Sequence, residues 1–145
     1  MKFIADVMLG RLAKRMRLLG FDVLYDRTMD DNEIIRLSLA QNRVILTRDT
    51  GLAVRPLAAN HVFIKHDALD DQLGQILDTL TLASVPGILT RCSCCNEPLT
   101  SVSRSDIRDR VPQYVYERYE EFLRCTKCER IYWKGTHVKN MRLSG

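Results

Sequence analysis

The chain has 145 residues, 46% of them hydrophobic, which is enough for one folded domain with a small appendage. Its apolar runs are all shorter than the roughly 20 residues of a membrane-spanning helix, and Lys2 and Asp6 bring charges too early for a signal peptide. Five cysteines, an odd number without a secretory signal, argue against a disulfide framework and indicate a cytoplasmic protein with no membrane partner.

The chain changes character near residues 83–90, where Ser84-Val85-Pro86-Gly87 interrupts a periodic apolar pattern. Residues 1–83 hold eleven Lys and Arg against eleven Asp and Glu, whereas residues 84–145 hold eleven against seven and contain all five cysteines. The second region therefore supplies the whole formal net charge of +4. We predict a neutral domain over 1–83 and a smaller basic domain over 84–145.

Strands and helices are predicted to alternate along the first region. The run Val44-Ile45-Leu46 is apolar throughout, which suits a strand buried on both faces and is too short for a helix. Such alternation is typical of right-handed βαβ units and predicts an α/β fold, with a parallel sheet and helices on its faces. The predicted strands cover 3–5, 21–25, 44–46 and 62–64, and the predicted helices cover 9–19, 30–42 and 69–80.

Acidic residues stand at the ends of these strands. Asp6 follows the first strand, Asp49 follows the central strand, and Asp30 and Asp31 begin a helix on the same edge of the sheet. Carboxylates that meet at this edge repel one another unless a cation neutralises them, and their oxygens suit Mg²⁺ or Mn²⁺. These four aspartates are therefore candidate catalytic residues of a site that activates water against a phosphodiester.

Each acid also has a purely structural interpretation. Asp49 is suited to cap the next short helix, and Asp30 with Glu33 resembles a capping box, which leaves Asp31 as the favoured ligand. Glu33 is either a further ligand or an acid favoured by the helix dipole. Three other aspartates are expected in surface turns or at a helix cap: Asp22, Asp26 and Asp67.

Basic residues are concentrated on the helix that follows Asp6. A phosphate chain that approaches carboxylates needs a positively charged rim, and the start of this helix is expected to border the acidic edge. The alternative is a solvated polar face, which is the common role of such residues. The candidate nucleic-acid-binding residues here are Arg11, Lys14 and Arg15, together with Arg48 beside Asp49.

Two C-x-x-C pairs stand out in the second region. Cys92 with Cys95, and Cys125 with Cys128, can each present two thiolates to one tetrahedral Zn²⁺, which predicts a structural zinc site. A redox pair is the alternative, but neither pair opens a helix after a strand. Cys94 lies inside the first pair and is either a substitute for Cys92 or a free thiol; the spacing favours Cys92.

Basic and aromatic residues are interleaved after the last cysteine. Helices are expected to start near Ser105 and Pro112, and residues 130–135 are predicted to form a strand and turn of a zinc ribbon. Basic residues among aromatic ones suit a single-stranded nucleic acid, through phosphate contacts and base stacking. The alternative places aromatic rings in the ribbon core, which must hold for one of two strand neighbours. The candidates are Tyr132, Trp133, Lys134 and His137.

These segments resemble, in this order, the Mut-seven C-terminal RNase family, in which a PIN-like nuclease domain precedes a zinc ribbon. The resemblance runs nearly end to end, with Cys94 as a departure in the first knuckle. It implies metal-dependent RNA cleavage, with Asp6, Asp49 and an acid within 30–33 as metal ligands. The matching segments are Phe3-Ile4-Ala5-Asp6, Leu9-Gly10-Arg11-Leu12-Ala13, Leu18-Leu19-Gly20-Phe21-Asp22, Asp30-Asp31-Asn32-Glu33-Ile34, Ile45-Leu46-Thr47-Arg48-Asp49 and residues 91–96, 125–128 and 132–137.

Other α/β folds also place acids at strand ends. A TOPRIM-like domain needs Asp-x-Asp after the central strand, but Asp49 is followed by Thr50 and Gly51. A receiver-like domain needs two acids after the first strand, where only Asp6 stands. The functional alternative is a non-catalytic RNA-binding or adaptor protein that retains the PIN-like fold. The resemblance favours a ribonuclease.

Overall fold

The computed structural model describes residues 1–135. The first part is a sheet of four strands in the order β2-β1-β3-β4, and all neighbouring pairs are parallel. This is the predicted α/β arrangement. The strands are β1 (Lys2–Ala5), β2 (Asp22–Leu24), β3 (Arg43–Thr47) and β4 (His61–Phe63), and the helices are α1 (Gly10–Leu18), α2 (Asp31–Gln41), α3 (Thr50–Ala53) and α4 (Leu69–Thr79), with 3-10 turns at Val7–Leu9 and Pro56–Ala58.

Helices cover both faces of the sheet, as predicted. β3 is buried along its whole length because its side chains alternate between two apolar cores. Val44 and Leu46 pack with residues of α1 and α4, whereas Ile45 packs on the opposite side with residues of α2 and α3. The central strand is therefore covered on both faces, which explains why its sequence is apolar without alternation.

Two predicted helix ends are confirmed by left-handed backbone conformations. Asn42 ends α2 with φ 54°, and Gly20 follows α1 with φ 97°. A Cβ at Gly20 would lie 2.8 Å from the backbone of Gly87, so this position needs glycine for space as well as for conformation. The predicted cap at Asp67 is wrong, because Ala68 precedes α4 and no side chain caps that helix.

The second part is an antiparallel sheet of three strands in the order β5-β6-β7. Its small core contains Ile107, Val115 and Phe122, with Trp133 packed against them. The helical segments predicted near Ser105 and Pro112 are present. The strands are β5 (Leu99–Val102), β6 (Phe122–Cys125) and β7 (Ile131–Tyr132), a 3-10 turn covers Arg104–Ile107, and α5 covers Gln113–Arg118.

The first zinc knuckle docks against β2, an edge strand of the parallel sheet. The backbone N–H of Val23 donates to Asn96 Oδ1 at 3.0 Å, and the carbonyl of Val23 accepts from Arg17 Nε at 2.9 Å. Both side chains thus satisfy backbone groups that an edge strand leaves unpaired. The division of the chain at residue 83 stays a prediction, because residues after it pack closely on the first part: Gly87 and Leu89 donate to the carbonyls of Leu19 and Leu18.

Asp22 is not a surface turn residue, and that prediction is wrong. It begins β2, where Oδ1 accepts hydrogen bonds from Arg43 Nη1 at 2.8 Å and from Asn96 Nδ2 at 2.7 Å. Arg43 is buried and donates to the carbonyl of Phe3 as well. The carboxylate therefore joins three segments far apart in sequence. Asp26 does lie in an exposed turn, where it binds Thr28.

The helices formed by residues 1–135 reach at most 11 residues, and none has the length and apolar character needed to cross a bilayer.

Candidate active site and metal centre

Four cysteines converge at one point beside the antiparallel sheet. The Sγ atoms of Cys92, Cys95, Cys125 and Cys128 all lie within 4.8 Å of one another, as the two C-x-x-C pairs predicted. Cys92 Sγ and Cys128 Sγ are 3.7 Å apart, close to the roughly 3.8 Å expected for two sulfurs bound tetrahedrally at about 2.3 Å from one Zn²⁺. The donor type, number and spacing therefore fit a structural zinc ion with no open coordination position.

Each C-x-x-C pair forms a knuckle in which backbone N–H groups point at sulfur. Cys95 N donates to Cys92 Sγ at 3.4 Å, and Cys128 N donates to Cys125 Sγ at 3.5 Å. Such bonds stabilise thiolates, the form that binds metal. Cys94 is exposed and lies outside this group, which confirms that Cys92 is the member of the first pair.

The thiols cannot all ionise together without a cation. Burial opposes ionisation of Cys92, but the hydrogen bonds from Tyr132 and the backbone outweigh it and lower its pKa to about 7. Burial and the neighbouring sulfurs raise the pKa of Cys95 to about 12. Burial raises the pKa of Cys125 as well. This opposition is what a divalent ion at the centre of the four sulfurs relieves.

Tyr132 supports the cysteine centre from outside. Its hydroxyl lies 3.1 Å from Cys92 Sγ and 3.1 Å from the backbone N of Ser93, which donates to it. Burial and the hydrogen bond to Cys92 raise the pKa of Tyr132 to about 12, so the phenol stays protonated. In the described structure, the polar end of this predicted RNA-binding residue faces the zinc centre.

Asp6 anchors the second candidate site, at the carboxyl edge of the parallel sheet. It follows β1, is 3% exposed, and accepts three hydrogen bonds. Oδ1 accepts from Met8 N at 2.9 Å, and Oδ2 accepts from Thr47 Oγ1 at 2.5 Å and from Arg48 N at 2.9 Å. A buried carboxylate with three donors is fixed in orientation.

Thr47 connects Asp6 to Asp49. The hydroxyl of this fully buried residue donates to Asp6 and accepts a hydrogen bond from Asp49 N at 2.9 Å. Asp49 itself is exposed, and its Oδ1 accepts from Gly51 N at 2.8 Å as the cap of α3. The capping interpretation of Asp49 is therefore correct, whereas the predicted meeting of the Asp6 and Asp49 carboxylates at one metal stays a prediction.

The two aspartates at the start of α2 differ in their contacts. Asp30 caps the helix by accepting from Glu33 N at 2.8 Å, as the capping-box interpretation expected, while Glu33 pairs with Arg36 at 2.6 Å. Within residues 1–135, the side chain of Asp31 has no hydrogen-bond or ion-pair partner. Asp31 thus retains both oxygens for a ligand.

The acidic residues are less tightly grouped than the cysteines. Within residues 1–135, only Cys92, Cys95, Cys125 and Cys128 bring three or more possible metal ligands together at one point. Asp6 is linked through Thr47 to the backbone of Asp49, and Asp30 and Asp31 stand at the start of α2. The assignment of these four residues to one catalytic metal site stays a prediction.

The predicted basic rim divides into paired and unpaired side chains. Arg15 pairs with Asp70 at 3.1 Å, and Arg48 pairs with Asp67 at 2.8 Å. Arg11 and Lys14 are exposed, and their side chains make no hydrogen bond or ion pair within the described part of the chain. These two are the candidates whose charge is still available to a phosphate.

The predicted ribbon residues have mixed surroundings. Trp133 is half-buried and packs against Phe122, with ring centroids 6.4 Å apart, so it belongs to the ribbon core at least in part. Lys134 is exposed. His137 lies outside the described residues, and its predicted role stays a prediction.

Sequence reasoning did not identify several residues that organise the two sites. These residues make contacts with residues distant in sequence, and no local sequence pattern predicts such contacts. They are Thr47, Arg17 and Asn96. Arg17 is buried and donates to the carbonyls of Val23, Ser93 and Cys94. The one available signal was the position of Thr47, directly between an apolar strand and Arg48-Asp49.

Fold and sites together define an α/β domain with carboxylates at its ligand-binding edge, followed by a small antiparallel domain with a four-cysteine metal centre. The family model described as "Mut7-C RNAse domain" matches residues 1–144, and the chain belongs to that family. The resemblance noted from the sequence is thereby confirmed. Comparisons with curated proteins and with solved structures gave no significant match.

Proposed function

We propose that the protein is a metal-dependent ribonuclease that hydrolyses RNA phosphodiester bonds at the Asp6–Asp49 edge of the sheet. The observation that carries the proposal is that two aspartates follow adjacent parallel strands, with the Thr47 hydroxyl bonded to the carboxylate of Asp6 and to the backbone N–H of Asp49. This edge is where open α/β sheets bind ligands. Membership in an RNase domain family supports RNA as the substrate and nuclease chemistry as the activity.

The carboxylates suit Mg²⁺ or Mn²⁺, and Asp6, Asp49 and Asp31 are the residues proposed to hold it. The bound ion supplies an activated water and stabilises the leaving oxygen. The orientation of Asp6 is fixed by its three donors. Asp49 has one oxygen without a partner among residues 1–135, and Asp31 has two. Asp30 contributes by fixing the start of α2 beside them.

The zinc ribbon is proposed to assist the binding of single-stranded RNA. Lys134 is exposed, and Trp133 is only partly buried. Stacking on such a ring and contact of phosphates with lysine suit single strands without sequence preference. We further propose that the protein acts in the cytoplasm, where thiols stay reduced and available to zinc.

A metal titration with a labelled single-stranded RNA separates the enzyme from a non-catalytic RNA-binding adaptor. The proposal predicts no cleavage in metal-depleted buffer and cleavage that rises with added Mg²⁺ or Mn²⁺. The zinc content of the protein is measured in every sample, so that loss of the ribbon is not mistaken for loss of the catalytic ion. RNA binding that is intact with no cleavage at any metal concentration would establish the adaptor instead.

A further inference from the structure

A groove of about 460 Å³ runs between α1, the loop after β2 and the first zinc knuckle. Arg11, Lys14 and Arg17 line it from α1, Arg27 lines it from the loop, and Cys94 lines it from the knuckle. No single part of the chain forms this groove, because its walls come from the α/β domain and from the cysteine-containing segment. It is therefore present only when the knuckle is docked.

The groove is strongly positive. Asp26 is the single acid in its lining, and this carboxylate is already bound to Thr28 N and Oγ1 at 2.9 and 2.7 Å. Arg17 is buried and directs its donors to backbone carbonyls. The side chains of Arg11, Lys14 and Arg27 are exposed and, within residues 1–135, make no hydrogen bond or salt bridge, although Arg27 is attracted electrostatically to its neighbour Asp26.

Four arginines of the α/β domain differ in this respect. Arg15, Arg36, Arg43 and Arg48 each pair with a carboxylate. Three unpaired cations around one groove repel one another, and an anion bound between them removes that repulsion. The arrangement therefore favours an anionic ligand with more than one charge.

The walls of the groove are fixed before any ligand binds. Tyr25 donates its hydroxyl proton to the carbonyl of Val7 at 2.9 Å, and its ring lies over Gly10, where a Cβ would come within 2.8 Å of that hydroxyl. On the opposite side, Arg17 Nη1 holds the carbonyls of Ser93 and Cys94 at 2.9 and 3.3 Å. A preorganised site binds with little ordering cost.

We propose that this groove binds successive phosphates of single-stranded RNA and leads the strand to the acidic edge. The inference rests on the proposed ribonuclease function and names where the substrate lies. Asp6 caps the 3-10 turn at Val7–Leu9, which continues directly into α1, so Arg11 is only five residues from the catalytic carboxylate. The knuckle thus serves RNA binding as a wall of the groove.

The groove on the ribbon itself is a weaker candidate for phosphates. It measures about 420 Å³ and brings Glu120 and Glu121 beside Trp133 and Lys134. Two carboxylates against one lysine give the lining a net negative charge, which repels a phosphate chain. The positive groove beside α1 is the favoured path for the same ligand.

The test is RNA affinity as a function of salt, with a fluorescent single-stranded oligonucleotide and the full chain. An Asp49→Asn background and buffer without added divalent metal prevent cleavage during the measurement. Lys14→Gln and Arg27→Gln should each lower the slope of log affinity against log salt by about 0.7, the value for one lost phosphate contact on a single strand. Lys2→Gln is the matched control, because this exposed lysine lies at the opposite edge of the sheet, and its slope should equal that of the background protein.

Alkylation of Cys94 by iodoacetamide provides an independent measurement on the wild-type sequence, again in buffer without added divalent metal. Cys94 is exposed in the groove wall and lies outside the cysteine centre, so saturating RNA should slow its modification several-fold. Unchanged slopes for both groove variants, an unchanged alkylation rate, or a slope that falls only for Lys134→Gln would each overturn the groove assignment.

Cleavage, assayed separately with added Mg²⁺, keeps the two proposals apart. Lowered slopes without cleavage support the groove and remove the proposed activity. Cleavage with unchanged slopes supports the activity and removes the groove.

Discussion

At the scale of single residues, Thr47 links the carboxylate of Asp6 to the backbone of Asp49. Its hydroxyl donates to Asp6 and accepts from Asp49 N, and the residue is fully buried. Removal of this hydroxyl takes one hydrogen bond from the buried carboxylate of Asp6. It also leaves the backbone N–H of Asp49 without its acceptor. The energetic cost of unsatisfied buried polar groups exceeds the net value of the bonds themselves.

We therefore expect Thr47→Val to lower the free energy of unfolding by about 1–3 kcal/mol, as measured by urea denaturation. RNA cleavage should fall as well, because Asp6 loses one of three donors. Thr47→Ser keeps the hydroxyl and should restore cleavage. Thr28→Val, which removes an exposed hydroxyl bonded to Asp26, is the control for loss of a threonine hydroxyl. A Thr47→Val protein as stable and active as the parent would remove Thr47 from the site.

Asp22 is the second residue whose role depends on distant partners. Burial opposes its ionisation, but the hydrogen bonds from Arg43 and Asn96 outweigh it and hold its pKa below its usual range. A carboxyl whose pKa is lowered on folding stabilises the protein above its unfolded pKa, and that stabilisation is lost as pH falls through the folded pKa.

Asp22→Asn should therefore destabilise the protein by the same amount at pH 8, 6 and 5, since the wild-type carboxylate is fully ionised at each. Urea denaturation of both proteins at the three values measures the difference. A difference that shrinks between pH 8 and pH 5 would show that another group, and not Asp22, governs the effect.

At the scale of elements, the strands and helices followed from local patterns in the sequence. The apolar run at β3, the left-handed stops at Gly20 and Asn42 and the two C-x-x-C pairs depend on residues close together in the chain. Contacts between residues far apart in the sequence could not be predicted from such local patterns. Asn96 and Val23 are 73 positions apart, and Arg17 and Ser93 are 76 apart. Asp22 was misassigned for the same reason, because its partners lie in β3 and in the knuckle.

The ribbon is the element whose stability we expect to depend on metal, because four cysteines that could hold one ion lie beside it. Four cysteines account for all coordination positions, so elemental analysis should find about one zinc per chain. Cys125→Ser should lose the zinc and the antiparallel sheet, because metal-binding free energy at such sites is largely folding free energy. Far-UV circular dichroism and zinc content measure both effects. If protein expressed with ample zinc contained no zinc, the assignment of the four cysteines to a structural zinc site would be contradicted.

Tyr132 offers a finer test of the same element. Tyr132→Phe removes the hydroxyl that contacts Cys92 and Ser93 but keeps the ring. Loss of a group that supports a ligand typically weakens metal affinity by about 10–100-fold, so competition with a chromophoric chelator should show a decrease in that range. Tyr114→Phe, an exposed tyrosine on α5, is the matched control and should not change zinc affinity.

At the scale of the whole molecule, the first cysteine knuckle packs beside α1 of the first part of the chain. The parallel sheet places Asp6 and Asp49 at its carboxyl edge, while the knuckle docks on the edge strand β2 and closes the groove beside α1. We propose that the carboxylates of the first part form the catalytic edge and that the docked knuckle completes a positive path that leads to it.

RNA cleavage by the Asp49→Asn variant tests this account most directly. The substitution keeps the size of the side chain and removes the charge that a divalent cation needs. We expect a folded protein with normal zinc content whose cleavage rate falls at least about a hundredfold, since loss of metal assistance costs several kcal/mol of transition-state stabilisation. Asp78→Asn, at the far end of α4 from this edge, should cleave like the parent protein. Undiminished cleavage by rigorously purified Asp49→Asn protein would contradict the assignment of the acidic edge as the catalytic centre.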